Sequence, residues 1–347
     1  MSGVRQITVG RGEGDQRLDR WLKRQFPQLA QGRIEKMCRK GELRVDGGRV
    51  KPGARIEEGQ VVRVPPLPDD APPLATPGPA AISDADARMI RSAVLFRDEH
   101  LVAIDKPPGL PTQGGTGQTR HVDGLAAALS EGGEAPRLVH RLDKDTSGVL
   151  LLARTRQMAK ALAEAFRHRS TRKIYWAACA GVPSPRMGTV RYGLLKAPGH
   201  GKGGENEKMR TVHPRDIDTT PGAQRATTDY AVLDALGTRA AWLALVPVTG
   251  RTHQLRAHMA ALGHPIAGDG KYGGSGQENL GDGWGAGLGG AVSRKLHLHA
   301  RSLSFDHPAT GARLTLSAPL PEHMARTWDL MGWDPASVPA DPFEVAS

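Results

Sequence analysis

The stretch from Val139 to Thr155 constrains the fold of this chain most, because polar, turn-forming residues run directly into an apolar segment there. Residues 148–153 form a short, continuously apolar run between polar residues, which predicts a strand buried on both faces. Asp143 stands just before that strand, between Arg141 and Lys144. Because the neighbouring positive charges favour a carboxylate and the strand is rigid, Asp143 is a candidate nucleophile or base.

The same stretch also permits structural interpretations. Residues 145–148 read Asp-Thr-Ser-Gly, whose short polar side chains commonly bond to nearby backbone groups in turns. Asp-Thr-Ser-Gly also suggests an aspartic peptidase, but Lys144 precedes the carboxylate and the sequence has no second copy to supply the partner acid. From these residues alone, both a catalytic and a turn-forming role remain open for the acidic segment.

Two longer motifs carry a family resemblance. Residues 140–148 read His-Arg-Leu-Asp-x-x-Thr-Ser-Gly and residues 249–258 read Thr-Gly-Arg-Thr-His-Gln-Leu-Arg-x-His. Both resemble signatures of the RluA-type pseudouridine synthases, and residues 98–107 and 263–272 extend the match. The resemblance implies that Asp143 is the catalytic aspartate, that Arg256 pairs with it, and that Tyr175 lies against the target base.

The resemblance also implies a fold and a reaction. The fold would be α+β, with a small S4 RNA-binding domain before a synthase domain built on a mixed, mainly antiparallel sheet flanked by helices. Isomerising uridine to pseudouridine needs no redox step, so we expect no cofactor. A stacked uridine must be flipped out of the RNA, and Arg141 resembles the family arginine that fills the vacancy. Within the family, the likeness is greatest to members that modify the 23S RNA of the large ribosomal subunit.

The positive net charge of the chain predicts a phosphate-rich partner. The chain has 47 Lys and Arg against 36 Asp and Glu, a net charge of +11, and residues 1–64 hold 15 of the basic and 8 of the acidic residues. Apolar residues recur at helical spacing within residues 18–26 and 34–38, with basic residues between them. Scattered basic residues usually form only a solvated face. Two adjacent basic helices favour an RNA-binding surface instead. Such a surface is also expected in the alternative function, a non-catalytic RNA-binding or ribosome-assembly protein.

Residues 17–47 resemble an S4 domain, which we place at residues 15–64. A proline-rich linker is predicted at 65–90 and the catalytic domain at 91–335. Two glycine-rich segments, 196–222 and 273–290, are predicted as loops, the first either plain surface or an RNA-clasping arm. The candidate RNA-binding residues of the S4 domain are Arg20, Arg24, Arg33, Lys36, Arg39 and Lys40.

The remaining composition excludes several classes of protein. Cys38 and Cys179 are far apart in the sequence, which argues against a disulfide framework and a zinc site and fits a reducing cytoplasm. No apolar stretch approaches the roughly 18 residues of a membrane span, so a soluble protein is expected. His297 and His299 share one face of a predicted strand, but no third ligand is in register, so we predict no metal site.

Overall fold

The computed structural model describes residues 3–67, 82–114, 120–166, 171–197, 208–273 and 291–344. Most of the predicted linker and nearly all of the second glycine-rich segment lie outside these residues. By its internal contacts the chain forms two compact units, Met1–Ala80 and Ala81–Ser347.

The first unit packs two helices against short antiparallel strands. One sheet has the order β1-β6-β3-β4, and β2 pairs with β5. The elements are β1 (Arg5–Thr8), β2 (Gln16–Arg17), α1 (Leu18–Gln25), α2 (Gln31–Lys40), β3 (Arg44–Val45), β4 (Gly48–Arg49), β5 (Arg55–Ile56) and β6 (Val61–Val64).

The two predicted amphipathic helices are confirmed. Their apolar residues fall on one face of each helix and are buried in a common core with the strands. Helix α2 ends at Gly41, whose φ of +71° places it in the left-handed region that glycine adopts without strain. The unit also includes β1, which precedes the predicted S4 domain and pairs with β6 along its whole length.

The second unit is built on one large mixed sheet. Its helices are α3 (Asp84–Ser92), α4 (Val122–Leu125), α5 (Arg156–Ala165), α6 (Gln254–Ala261) and α7 (Glu322–Met331), with 3-10 turns at Ala126–Leu129 and Pro214–Asp216. Its strands are β7 (Val94–Arg97), β8 (Leu101–Lys106), β9 (Arg137–Leu138), β10 (Ser147–Ala153), β11 (Arg172–Ala180), β12 (Met187–Val190), β13 (Gly193–Lys196), β14 (Met209–Val212), β15 (Gln224–Arg225), β16 (Thr228–Leu236), β17 (Ala240–Pro247), β18 (Leu298–Asp306) and β19 (Arg313–Ser317).

The sheet order is β12-β16-β17-β11-β18-β10-β8-β7, with β9 added beside β10 and β19 beside β18. In the described residues the pairing of β10 with β18 is parallel and the other named pairs are antiparallel. Helices α3 and α4 pack on one face of β8 and β10, and α5 packs on the other. The predicted α+β fold with a mixed, mainly antiparallel sheet is therefore confirmed.

Strand β10 is buried along its whole length, as the apolar run predicts. Its side chains alternate between two core clusters on opposite faces of the sheet. Gly148 has a φ of +105°, and a Cβ atom there would collide with the carbonyl oxygen of Ala300 on β18. Glycine therefore lets the two strands meet closely at the point where the polar turn enters the sheet.

Two predicted boundaries and one predicted loop need correction. Helix α3 lies inside the range predicted as linker, and beyond residue 335 Asp341 accepts two hydrogen bonds from Arg172 of β11 at 2.6 and 2.8 Å. The second unit therefore extends past 91–335 at both ends. The segment predicted as a loop at 196–222 contains β14, which joins β13 and β15 in a three-stranded sheet. Its Gly- and Lys-rich composition has no alternating pattern that would have indicated this strand.

None of the described helices has both the length and the apolar character needed to cross a bilayer.

Candidate active site

A cleft of about 490 Å³ opens beside the start of β10. Residues from 140–146, 173–175 and 247–256 line it, together with Phe166 and Leu298. The turn before β10, strand β11 and helix α6 thus each contribute side chains to one concave surface. The sequence-predicted residues that line it are Arg141, Asp143, Tyr175 and Arg256.

Asp143 occupies the turn before β10, with its side chain one-quarter exposed to the cleft. The Nη1 atom of Arg256 lies 3.6 Å from its Oδ2, and Nε2 of His253 lies 3.9 Å from the same oxygen. The turn is fixed on its other side by Thr112, whose Oγ1 donates to the carbonyl of Leu142 at 2.7 Å and accepts its N–H at 3.1 Å. The carboxylate is therefore held by its backbone while its oxygens stay open to the cleft.

Arg256 is buried on α6 and makes its main contacts with an acid that the sequence reasoning missed. Its Nε and Nη2 donate to the two oxygens of Asp269 at 2.8 and 2.7 Å. Burial acts to lower the pKa of Arg256, but hydrogen bonding to Asp269 and its charge raise it above its ordinary value. Asp269 thus orients the guanidinium, which leaves Nη1 to face Asp143.

Tyr175 lies on β11, partly buried between two core clusters. Burial and the nearby charge of Asp143 raise the pKa of its hydroxyl well above its ordinary value, so the phenol stays protonated at neutral pH. The tyrosine therefore presents a neutral ring to the cleft beside the carboxylate.

Comparison with known proteins assigns the chain to a family. A family model described as RNA pseudouridylate synthase matches residues 100–261, and an S4 domain model matches residues 16–62. The Ribosomal large subunit pseudouridine synthase C of Vibrio cholerae is 32% identical, covering 92% of this chain and 95% of the relative. That of Escherichia coli is 33% identical, covering 93% and 95%. The chain belongs to the RNA pseudouridylate synthase family.

The synthase is thus an intramolecular isomerase with an N-terminal S4 domain, as the RluA-type motifs predicted. Among solved structures, the human protein RNA Pseudouridylate Synthase Domain Containing 4 is similar with a TM-score of 0.57 and 33% identity, covering 71% of this chain and 95% of that one.

Arg141 and His140 have different roles in the synthase although they are adjacent. Arg141 is exposed at the rim, where its Nη2 donates to Oγ1 of Thr252 at 3.2 Å. The Nε2 atom of His140 instead accepts the backbone N–H of Leu151 at 3.0 Å. Desolvation lowers the pKa of His140 to about 3, so it is a neutral support for β10.

Lys106 is a second residue that the sequence reasoning missed. It is completely buried at the end of β8, and its Nζ donates to the carbonyl oxygens of Pro107, Leu110 and Lys144, each at 2.9 Å. In its protonated form Lys106 has three donors, and all three are used here. The bond to Lys144 holds the peptide between Lys144 and Asp145, one residue beyond Asp143 in the same turn. Burial lowers the pKa of Lys106 to about 7, against the opposing charges of nearby carboxylates.

Replacing Lys106 with methionine should lower kcat more than tenfold, because the turn that carries Asp143 loses an anchor. The free energy of unfolding should change by less than about 2 kcal/mol, because removal of a buried charge offsets the lost hydrogen bonds. Between pH 7 and its usual value of 10.5, folded Lys106 holds fewer protons than the unfolded residue, so it adds stability as the pH rises.

Denaturant titrations across that pH range check this prediction, together with single-turnover kinetics. In the methionine variant, the free energy of unfolding should no longer show the rise with pH that Lys106 contributes. Lys160→Met removes an exposed lysine on α5 and serves as the control. Full activity in the Lys106 variant would contradict the anchoring role.

The candidate RNA-binding residues of the S4 unit are all exposed. Arg24 lies 3.1 Å from Glu13, and Lys40 lies 3.8 Å from Glu42. Such exposed ion pairs are weak and can be exchanged for contacts with phosphate.

His297 and His299 are buried in the second unit and have hydrogen-bond partners. Nε2 of His297 lies 2.9 Å from Oγ1 of Thr327, and Nδ1 of His299 lies 2.8 Å from Oγ of Ser147. Within the described ranges, no three His, Cys, Asp or Glu side chains are grouped so that they could hold a metal ion.

Proposed function

We propose that this synthase converts specific uridines of 23S ribosomal RNA to pseudouridine, with Asp143 as the catalytic group. The observation that carries the proposal is the cleft in which the Asp143 carboxylate lies 3.6 Å from the oriented guanidinium of Arg256. The relatives named as large-subunit synthases C, similar over nearly the whole chain, support the RNA target.

The reaction breaks the bond between C1′ and N1 of the uridine, turns the base and joins C1′ to C5. The proton on C5 is lost and N1 gains one, so atoms balance without a cofactor. A carboxylate can attack C1′, add to the base or remove the C5 proton, and each of these requires Asp143 to reach the uridine. Arg256 keeps a positive charge beside Asp143 throughout the reaction.

The target nucleotide must leave its stack to enter the cleft. Tyr175 offers a neutral ring against which the extruded base can lie. Arg141, exposed at the rim, can insert its planar cation into the vacancy in the RNA and also pair with phosphate.

Mapping pseudouridines in the ribosomal RNA of a strain without this gene tests the proposal. We expect one or more positions of the 23S RNA to remain uridine, and the wild-type gene to restore them. Restoration by an Asp143→Asn gene would contradict the catalytic assignment. A 23S RNA with every pseudouridine intact would contradict the proposed target.

Replacing the exposed basic residues of α2, at positions 33, 36, 39 and 40, with glutamine should remove phosphate contacts. RNA binding should therefore become weaker and depend less on salt concentration. Each lost phosphate contact should reduce the slope of log K against log[salt] by about 0.7–0.9. Binding titrations at several salt concentrations measure this slope. Lys51→Gln removes an exposed lysine elsewhere in the unit and is the control. An unchanged slope in the quadruple variant would show that this face does not contact RNA.

A further inference from the structure

Tyr272 joins the three-stranded sheet to the catalytic cleft. Its hydroxyl oxygen lies 2.8 Å from the backbone nitrogen of Met209 on β14 and 3.0 Å from Nδ1 of His253. Its ring lies 5.3 Å from the guanidinium carbon of Arg256. The residue thus touches two side chains that face Asp143, yet it does not itself line the cleft.

The direction of these hydrogen bonds follows from the donors present. The backbone N–H of Met209 can only donate, so Tyr272 accepts that bond. Nδ1 of His253 lies 3.0 Å from the hydroxyl oxygen and can accept the phenolic proton. Partly buried hydroxyl groups usually donate a hydrogen bond, so we assign Tyr272 as the donor to Nδ1. Burial raises the pKa of Tyr272 to about 12, which keeps that proton in place at neutral pH.

This bond determines the tautomer of His253. Burial lowers the pKa of the imidazole, against the opposing charge of Asp143, which favours the neutral ring. A neutral imidazole that accepts at Nδ1 carries its proton on Nε2. The Nε2–H group then faces Oδ2 of Asp143 across 3.9 Å, whereas the other tautomer would turn a lone pair towards the carboxylate.

The backbone of His253 adopts an uncommon conformation. With φ of +51° and ψ of +22°, the residue is left-handed, a conformation that few non-glycine residues adopt. His253 directly precedes α6, so the left-handed conformation lies where the chain turns into the helix that carries Arg256.

We propose that Tyr272 is a positioning residue through which β14 sets the tautomer of His253, so that an N–H group and not a lone pair faces the catalytic carboxylate. This inference rests on the proposed role of Asp143. It adds the three-stranded sheet to the parts of the fold that the reaction depends on.

Tyr272→Phe is the sharpest kinetic test, because it keeps the ring beside Arg256 and removes only the hydroxyl. We expect kcat to fall about tenfold with KM for RNA changed less than about twofold, since the bond acts on the reacting state and not on RNA binding. A loss confined to KM, or no loss at all, would overturn the proposal.

Nitrogen-15 spectra of histidine-labelled protein give a readout that does not depend on activity. Protonated and unprotonated ring nitrogens of neutral histidine resonate far apart, and comparison with a His253→Asn spectrum assigns the signals. In the parent protein Nδ1 should be unprotonated and Nε2 protonated, and Tyr272→Phe should shift both towards an average of the tautomers. A protonated Nδ1 in the parent would overturn the proposal even if the phenylalanine variant failed to fold.

The link to β14 is tested at Met209, whose N–H bonds to the tyrosine. Met209→Pro removes that N–H at the first residue of the strand, where proline is tolerated, and Met209→Leu retains it. The proline variant should lose more of kcat than the leucine variant. Equal effects would remove β14 from the proposal.

These results separate the inference from the proposed function. An active Asp143→Asn variant would refute the catalytic role of Asp143, whereas the parent's nitrogen spectrum decides the tautomer independently.

Discussion

Asp143→Asn is expected to lower kcat by on the order of 10⁴-fold or more, while the Kd for RNA changes less than about threefold. The amide has the same shape as the carboxylate but lacks its charge and its reactivity towards carbon or a proton. Arg256 remains oriented by Asp269, so the cleft should keep its form. Release of tritium from RNA labelled at uridine C5 measures turnover, and fluorescence anisotropy measures binding.

Asp145→Asn provides a matched control in the same turn. Asp145 is exposed two residues further on, and it does not line the cleft. We expect this variant to keep activity within about threefold of the parent, because exposed surface changes have small effects. A large loss for both variants would indicate that the charge of the whole turn, and not one carboxylate, is required. Substantial turnover by Asp143→Asn would refute the catalytic assignment.

Asp269→Asn should lower the free energy of unfolding by about 3 kcal/mol, because the buried Arg256 loses the nearer of its two compensating charges and keeps only the more distant Asp143. Asp269 is 1% exposed, and its Oδ1 also accepts the backbone N–H groups of Lys271 and Tyr272 at 3.0 and 3.1 Å. One substitution therefore disturbs the orienting acid and the loop that carries it. Turnover should fall as well, because the guanidinium loses the bonds that aim it at Asp143.

Asp306→Asn is the comparison for stability. Asp306 pairs with Arg313 at 3.2 Å, but both side chains are about half exposed. Such a pair contributes only about 0–1 kcal/mol. Denaturant unfolding of both variants measures the contrast. If Asp269→Asn cost no more than Asp306→Asn, the buried pair would not support the site as described.

Local patterns account for the elements that the sequence predicted. The buried strand β10 follows from an uninterrupted apolar run, and α1 and α2 follow from apolar residues at helical spacing. The proximity of Asp143 and Arg256, 113 positions apart, came only from the family motifs. No local rule relates residues at that separation.

The supporting residues escaped prediction for a physical reason. Lysine is rarely buried, so the three carbonyls that surround Lys106 could be recognised only after the chain had folded. Asp269 and Tyr272 belong to a quoted motif, but their partners come from α6 and β14. These contacts depend on tertiary packing, which spacing along the chain does not encode.

The left-handed backbone of His253 limits which amino acids can replace it. Besides histidine, glycine, asparagine and aspartate accept that conformation most readily, yet their side chains are too short to span the gap between Tyr272 and Asp143. Longer side chains span it only by straining the turn. We therefore expect a single substitution at position 253 either to strain the turn before α6 or to lose the contacts with Tyr272 and Asp143.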